Sequence, residues 1–101
     1  SKWYMDILKY NLFNSEQIDS GLAWHCENDV YPNVITILFY LRKDEMVTGG
    51  NLLYKDKDNK IQKIIICSGL TIIMDGKTMH LPEKCGGKGV RSLIIVSFNK
   101  N

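Results

Sequence analysis

The run Val34-Ile35-Thr36-Ile37-Leu38-Phe39-Tyr40-Leu41 constrains this chain more than any other stretch. It is dense in β-branched and aromatic residues, the side chains that suit a pleated, half-buried surface, so it reads as a strand. Both of its faces are apolar. A strand with one face in water alternates with polar residues, so this one calls for cover on both sides. One face would line a barrel interior, while the other, with Ile35, Ile37, Phe39 and Leu41, needs a layer that the chain does not obviously supply. The expectation is that helices upstream of Ser1 are missing or that another copy packs there, and the absence of an initiator Met points the same way, to a trimmed chain.

The other segments repeat the strand pattern. Residues 3–12 are rich in aromatics and lean to strand, and residues 14–21 form a polar loop. Tyr31-Pro32-Asn33 makes a turn, and Arg42 to Thr48 is a charged connection ending at Gly49-Gly50. Asn51 to Tyr54 is a short strand, and Lys55 to Lys60 a solvated hairpin loop. Ile61 to Cys67, Leu70 to Met74 and Val90 to Phe98 are further strands, separated by turns at Ser68-Gly69 and Asp75-Gly76 and by the glycine-rich loop Cys85 to Gly89. Seven or eight short strands without a convincing helix predict an all-β sandwich or barrel.

Size and charge narrow the function classes. The 101 residues make one domain, 1–101, with a single core. At 45% hydrophobic and 24% charged residues the composition is that of an ordinary globular protein. No apolar run approaches the ~20 residues of a membrane-spanning helix, so no membrane partner is expected. A net charge of +2 with scattered lysines makes no basic stripe, which argues against nucleic acid. Cys26, Cys67 and Cys85 are an odd set without paired spacing, which fits a reducing, cytoplasmic compartment better than a disulfide framework.

Chemistry concentrates at Trp24-His25-Cys26-Glu27. On a strand, side chains two apart share a face, so His25 and Glu27 can grip one metal ion together, and Cys26 points into the core behind them. The only other histidine is His80. Taken together, His25-x-Glu27, the distal His80 and Arg91 eleven residues later resemble the signature of Fe(II)/2-oxoglutarate-dependent dioxygenases. Tyr40-Leu41, followed by a charged turn and Gly49-Gly50-Asn51-Leu52, is similar to the prolyl-hydroxylase-like branch of that family, and similar sequences occur in large DNA viruses. The likeness covers residues 22–98.

That resemblance implies a double-stranded β-helix, the cupin-like jelly roll. It implies Fe(II) held by His25, Glu27 and His80, with O2 and 2-oxoglutarate as cosubstrates and ascorbate as an optional addition. Arg91 would take the distal carboxylate of 2-oxoglutarate, for which a guanidinium fork is suited, and Tyr40 would add a donor. His80 and Arg91 would sit on adjacent strands of one sheet. The substrate would be a peptidyl side chain, proline favoured, and the location the cytoplasm, a host's if the source is viral. Two departures stand out: Glu27 replaces the usual Asp, and Leu93 stands where other branches carry Ser or Thr. The rival readings are a non-catalytic cupin-like metal or ligand binder, which has no reason to keep Arg91 and Tyr40, and an oxidative nucleic-acid demethylase, disfavoured by the aliphatic Leu93-Ile94-Ile95-Val96.

Overall fold

The structure is a computed structural model that describes residues 3–14, 23–26 and 33–100. Among these it forms nine strands: β1 (Trp3–Asn14), β2 (Val34–Lys43), β3 (Val47–Gly49), β4 (Leu52–Lys55), β5 (Ile61–Ile64), β6 (Thr71–Asp75), β7 (His80–Pro82), β8 (Cys85–Gly87) and β9 (Val90–Lys100). No helix occurs among the described residues. The large sheet has the order β1-β9-β2-β6, a smaller one the order β5-β4-β7, and β3 and β8 make a two-stranded ribbon. Every pairing is antiparallel. The all-β expectation holds, and the non-consecutive order of the large sheet is that of a jelly roll rather than a meander.

Alternation along β2 sets the layers. Val34, Thr36, Leu38 and Tyr40 are buried, while Ile35 and Ile37 are half-buried and Phe39 and Leu41 exposed. Leu38 and Tyr40 meet Leu93 of β9, Leu52 of β4 and Ile66 in one core between the sheets. Each such side chain contributes roughly 1.5–3 kcal/mol through the water it leaves. Thr36 and Ser97, directly opposite each other on β2 and β9, satisfy their buried hydroxyls mutually at 3.1 Å.

Several boundaries differ from the sequence reading. The glycine-rich stretch is a strand: Cys85–Gly87 pairs with Val47–Gly49, which the sequence places in a charged connection. Glycine makes this ribbon possible, because Gly49 (φ 66) and Gly87 (φ 75) are left-handed, and a Cβ on either would collide with a backbone carbonyl, that of Lys84 or Met46. β2 runs on to Lys43 through a register shift between Tyr40 and Arg42, so the alternation of buried and exposed residues breaks at Arg42. The strand expected over Ile61 to Cys67 stops at Ile64, where Asn51 Oδ1 accepts the amide of Ile66 at 3.0 Å and turns the chain toward the large sheet. The predicted loop over 14–21 falls outside the described residues except at Asn14, the end of β1, and the predicted turn at 31–33 does so except at Asn33 (φ 55).

Candidate metal and dicarboxylate site

His25 and His80 meet at a backbone bridge. The amide of each donates to the carbonyl of the other, at 3.1 Å from His25 and 2.9 Å from His80. Their rings lie 4.2 Å apart between centroids, tilted by 56°. Each ring is then fixed in the same way, by a local bond two residues back: His25 Nδ1 donates to Ala23 O at 2.8 Å and His80 Nδ1 to Thr78 O at 2.9 Å. A carbonyl can only accept, so each Nδ1 carries a proton. A carbonyl accepting from one ring nitrogen is what orients a metal-binding imidazole through the other. Among the described residues the Trp24-His25-Cys26 segment is paired at this bridge alone, not along the regular strand expected for it. Glu27 lies outside the described residues, and Cys26, expected in the core, is half-buried.

Two imidazoles plus one carboxylate make the three-ligand face used for non-haem Fe(II). Among the described residues no group of three His, Cys, Asp or Glu side chains converges.

The remaining candidate residues lie on another sheet. β7 with His80 belongs to the small sheet and β9 with Arg91 to the large one, so the expectation that they neighbour each other in a single sheet is corrected. The strand β8, inserted between them in sequence, carries the chain over to the other sheet. His80 lies opposite Tyr54 on β4, and Lys84 bonds to Gly50. Gly50 is beside Arg91, a Cβ there lying 3.4 Å from Arg91 Cδ.

Arg91 is only 7% exposed. Its Nη2 donates to Asn11 Oδ1 of β1 at 2.7 Å, while its Nε is buried without an acceptor among the described residues. A buried charged donor left unpaired costs at least ~1–3 kcal/mol, so an anionic ligand is the natural acceptor. Tyr40, 4% exposed, stands nearby. Burial raises the pKa of its phenol, partly offset by the Arg91 charge, while Cys85 adds to the rise, so the hydroxyl remains a neutral donor at physiological pH. Leu93 belongs to the core and brings no hydroxyl to the seat. Sequence reasoning missed two participants. Asn11 is separated from Arg91 by 80 positions, and Cys85, packed with Phe13 and Val47, presents its sulfur against Gly50.

No protein-family model matches this sequence, and no curated protein does. Two solved structures share its fold. An oxidoreductase of the 2OG-Fe(II) oxygenase family from Burkholderia pseudomallei superposes with a TM-score of 0.81 at 12% identity, over 99% of this chain and 45% of its own. EvdMO1 superposes with a TM-score of 0.76 at 16% identity, over 99% of this chain and 28% of its own. The chain therefore spans less than half of either. At these identities the likeness establishes the fold, a jelly roll of the kind seen in a 2OG-Fe(II) oxygenase family protein.

Proposed function

We propose that the chain is the core of an Fe(II)- and 2-oxoglutarate-dependent oxygenase that hydroxylates a peptide or protein side chain, proline favoured. The observation that carries this reading is the bridged pair His25 and His80, each with its Nδ1 proton committed to a carbonyl. His25, His80 and, from the sequence motif, Glu27 would hold the metal. Bound there with 2-oxoglutarate, Fe(II) supplies oxygen activation coupled to decarboxylation of the cosubstrate to succinate and carbon dioxide.

The chain's own part is binding and orientation. With each Nδ1 donating to a carbonyl, the two rings are held in a fixed orientation for metal binding through Nε2. Arg91 takes the distal carboxylate in a fork, its unpaired Nε finding the acceptor it lacks, and Tyr40 donates alongside. Leu52, Ile66 and Leu93 wall the interior between the two ends and keep water from it. The likeness to an oxygenase of known fold supports the reading at the level of architecture. Preference for proline comes from the sequence resemblance around Tyr40 and Gly49-Gly50.

Titration with Fe(II) and 2-oxoglutarate under anaerobic conditions tests the reading. Expected are a raised melting temperature and a weak visible charge-transfer band, both lost in His80→Ala. Arg91→Ala keeps the metal and loses most of its 2-oxoglutarate affinity. If the spectrum does not change and His80→Ala binds metal as tightly as before, the oxygenase reading fails; unchanged cosubstrate affinity in Arg91→Ala removes the clamp. Succinate release against a panel of proline-containing peptides addresses the substrate.

A further inference from the structure

We propose that Asn11 is a third binding residue of the dicarboxylate seat, fixing the Arg91 guanidinium through Oδ1 and donating to the ligand's distal carboxylate through Nδ2. The inference rests on the oxygenase reading of this site.

The register of the large sheet brings it there. Asn11 on β1 and Tyr40 on β2 are both directly opposite Leu93 of β9, one on each side of it. Arg91 starts two pairs lower, opposite Phe13, and its guanidinium reaches diagonally to the row of Asn11 and Tyr40. The seat therefore has the guanidinium between two flanking polar groups, a phenol from β2 and an amide from β1. An arginine only donates, so the amide oxygen must face it, and the amide nitrogen is left as the donor. A neutral amide also suits the position physically. It accepts from Nη2 without cancelling the positive charge, whereas a carboxylate there would form an ion pair with Arg91 and compete with the incoming ligand.

Isothermal titration of the chain loaded with redox-silent Mn(II) tests this, with 2-oxoglutarate and, as a control lacking the distal carboxylate, 2-oxobutanoate. Asn11→Leu is expected to weaken 2-oxoglutarate roughly tenfold or more, the loss of hydrogen bonds to charged groups. Asn11→Asp, nearly identical in shape, weakens it at least as much, and neither variant moves 2-oxobutanoate. Asn11→Ser makes the same comparison if the leucine variant does not fold. Unchanged 2-oxoglutarate affinity, or an equal loss for both acids, overturns the role of Asn11 and leaves the oxygenase reading standing. Failure of the unaltered chain to bind 2-oxoglutarate overturns both.

Discussion

At Gly50 a hydrogen atom occupies the place where any other residue would put a carbon 2.7 Å from Cys85 Sγ and 3.4 Å from Arg91 Cδ. Its φ of 70 is also one that side-chain-bearing residues adopt only with strain. Gly50→Ala should therefore destabilise the fold by about 1–3 kcal/mol and push Arg91 off its seat. Chemical denaturation measures the first effect and 2-oxoglutarate binding the second. Adding Cys85→Ala removes the sulfur but not the backbone strain, so it should restore part of the loss. An alanine at 50 with unaltered denaturation midpoint would show that the thiol and the guanidinium give way without cost. Gly50 was legible in the sequence as part of a Gly-Gly pair. The reason for it was not, because the group it makes room for lies 35 positions away at Cys85.

Among the elements, the connection from β2 to β3 decides where β9 begins. Asp44 accepts from Arg42 through both carboxylate oxygens, at 2.6 and 2.9 Å, and from the amide of Val90 at 2.9 Å, while its own amide donates to Val90 O at 2.9 Å. One side chain thus anchors the residue before Arg91. The hydrogen bonds from Arg42 and Val90 hold its pKa below the usual carboxylate range, so its contribution to stability is present above the unfolded value of roughly 3.9 and is lost as pH falls through the lower folded value. Asp44→Asn is expected to lower the melting temperature at pH 7, with the gap to the unaltered chain closing in strong acid. A gap that stays constant with pH would mean the charge is not involved. The sequence shows Arg42 to Thr48 as charged but not as structural, since the partner at Val90 is remote. Propensity explains the ribbon of β3 and β8 no better: three consecutive residues, Cys85-Gly86-Gly87, carry little strand preference, and the pairing exists because the backbones approach more closely than side chains would allow. By contrast, β2 was readable over Val34 to Leu41, where buried and less buried residues alternate along its apolar run, and β9 over Val90 to Phe98. His25 and His80 were readable as candidates by residue type, while their shared bridge was not, because it joins residues 55 positions apart.

On the scale of the molecule, the outer face of the large sheet is the feature least like an isolated domain. Cross-strand register aligns Leu8, Val96, Ile37 and Ile73 in one row, and Tyr10, Ile94 and Phe39 in the next. Leu8, Tyr10 and Ile73 are 64%, 62% and 71% exposed, and Phe39 is 37% exposed. The sequence argument that Ile35, Ile37 and Phe39 call for cover thus meets a face on which neighbouring strands add apolar side chains instead of masking them. Contiguous apolar surface of this kind binds hydrophobic probes and promotes association. The chain should therefore enhance the fluorescence of an environment-sensitive dye in its native state and lose solubility as salt rises. Leu8→Lys with Ile73→Lys breaks the row at both ends. Because both positions are exposed, stability should change by no more than ~0.5 kcal/mol for each. Metal and 2-oxoglutarate binding should be unaffected, since His80, Arg91 and Tyr40 face the interior on the other side of the sheet. Dye binding that persists at full strength in the double variant would place the responsible surface elsewhere, and a loss of 2-oxoglutarate affinity would show that the two faces of the sheet are coupled.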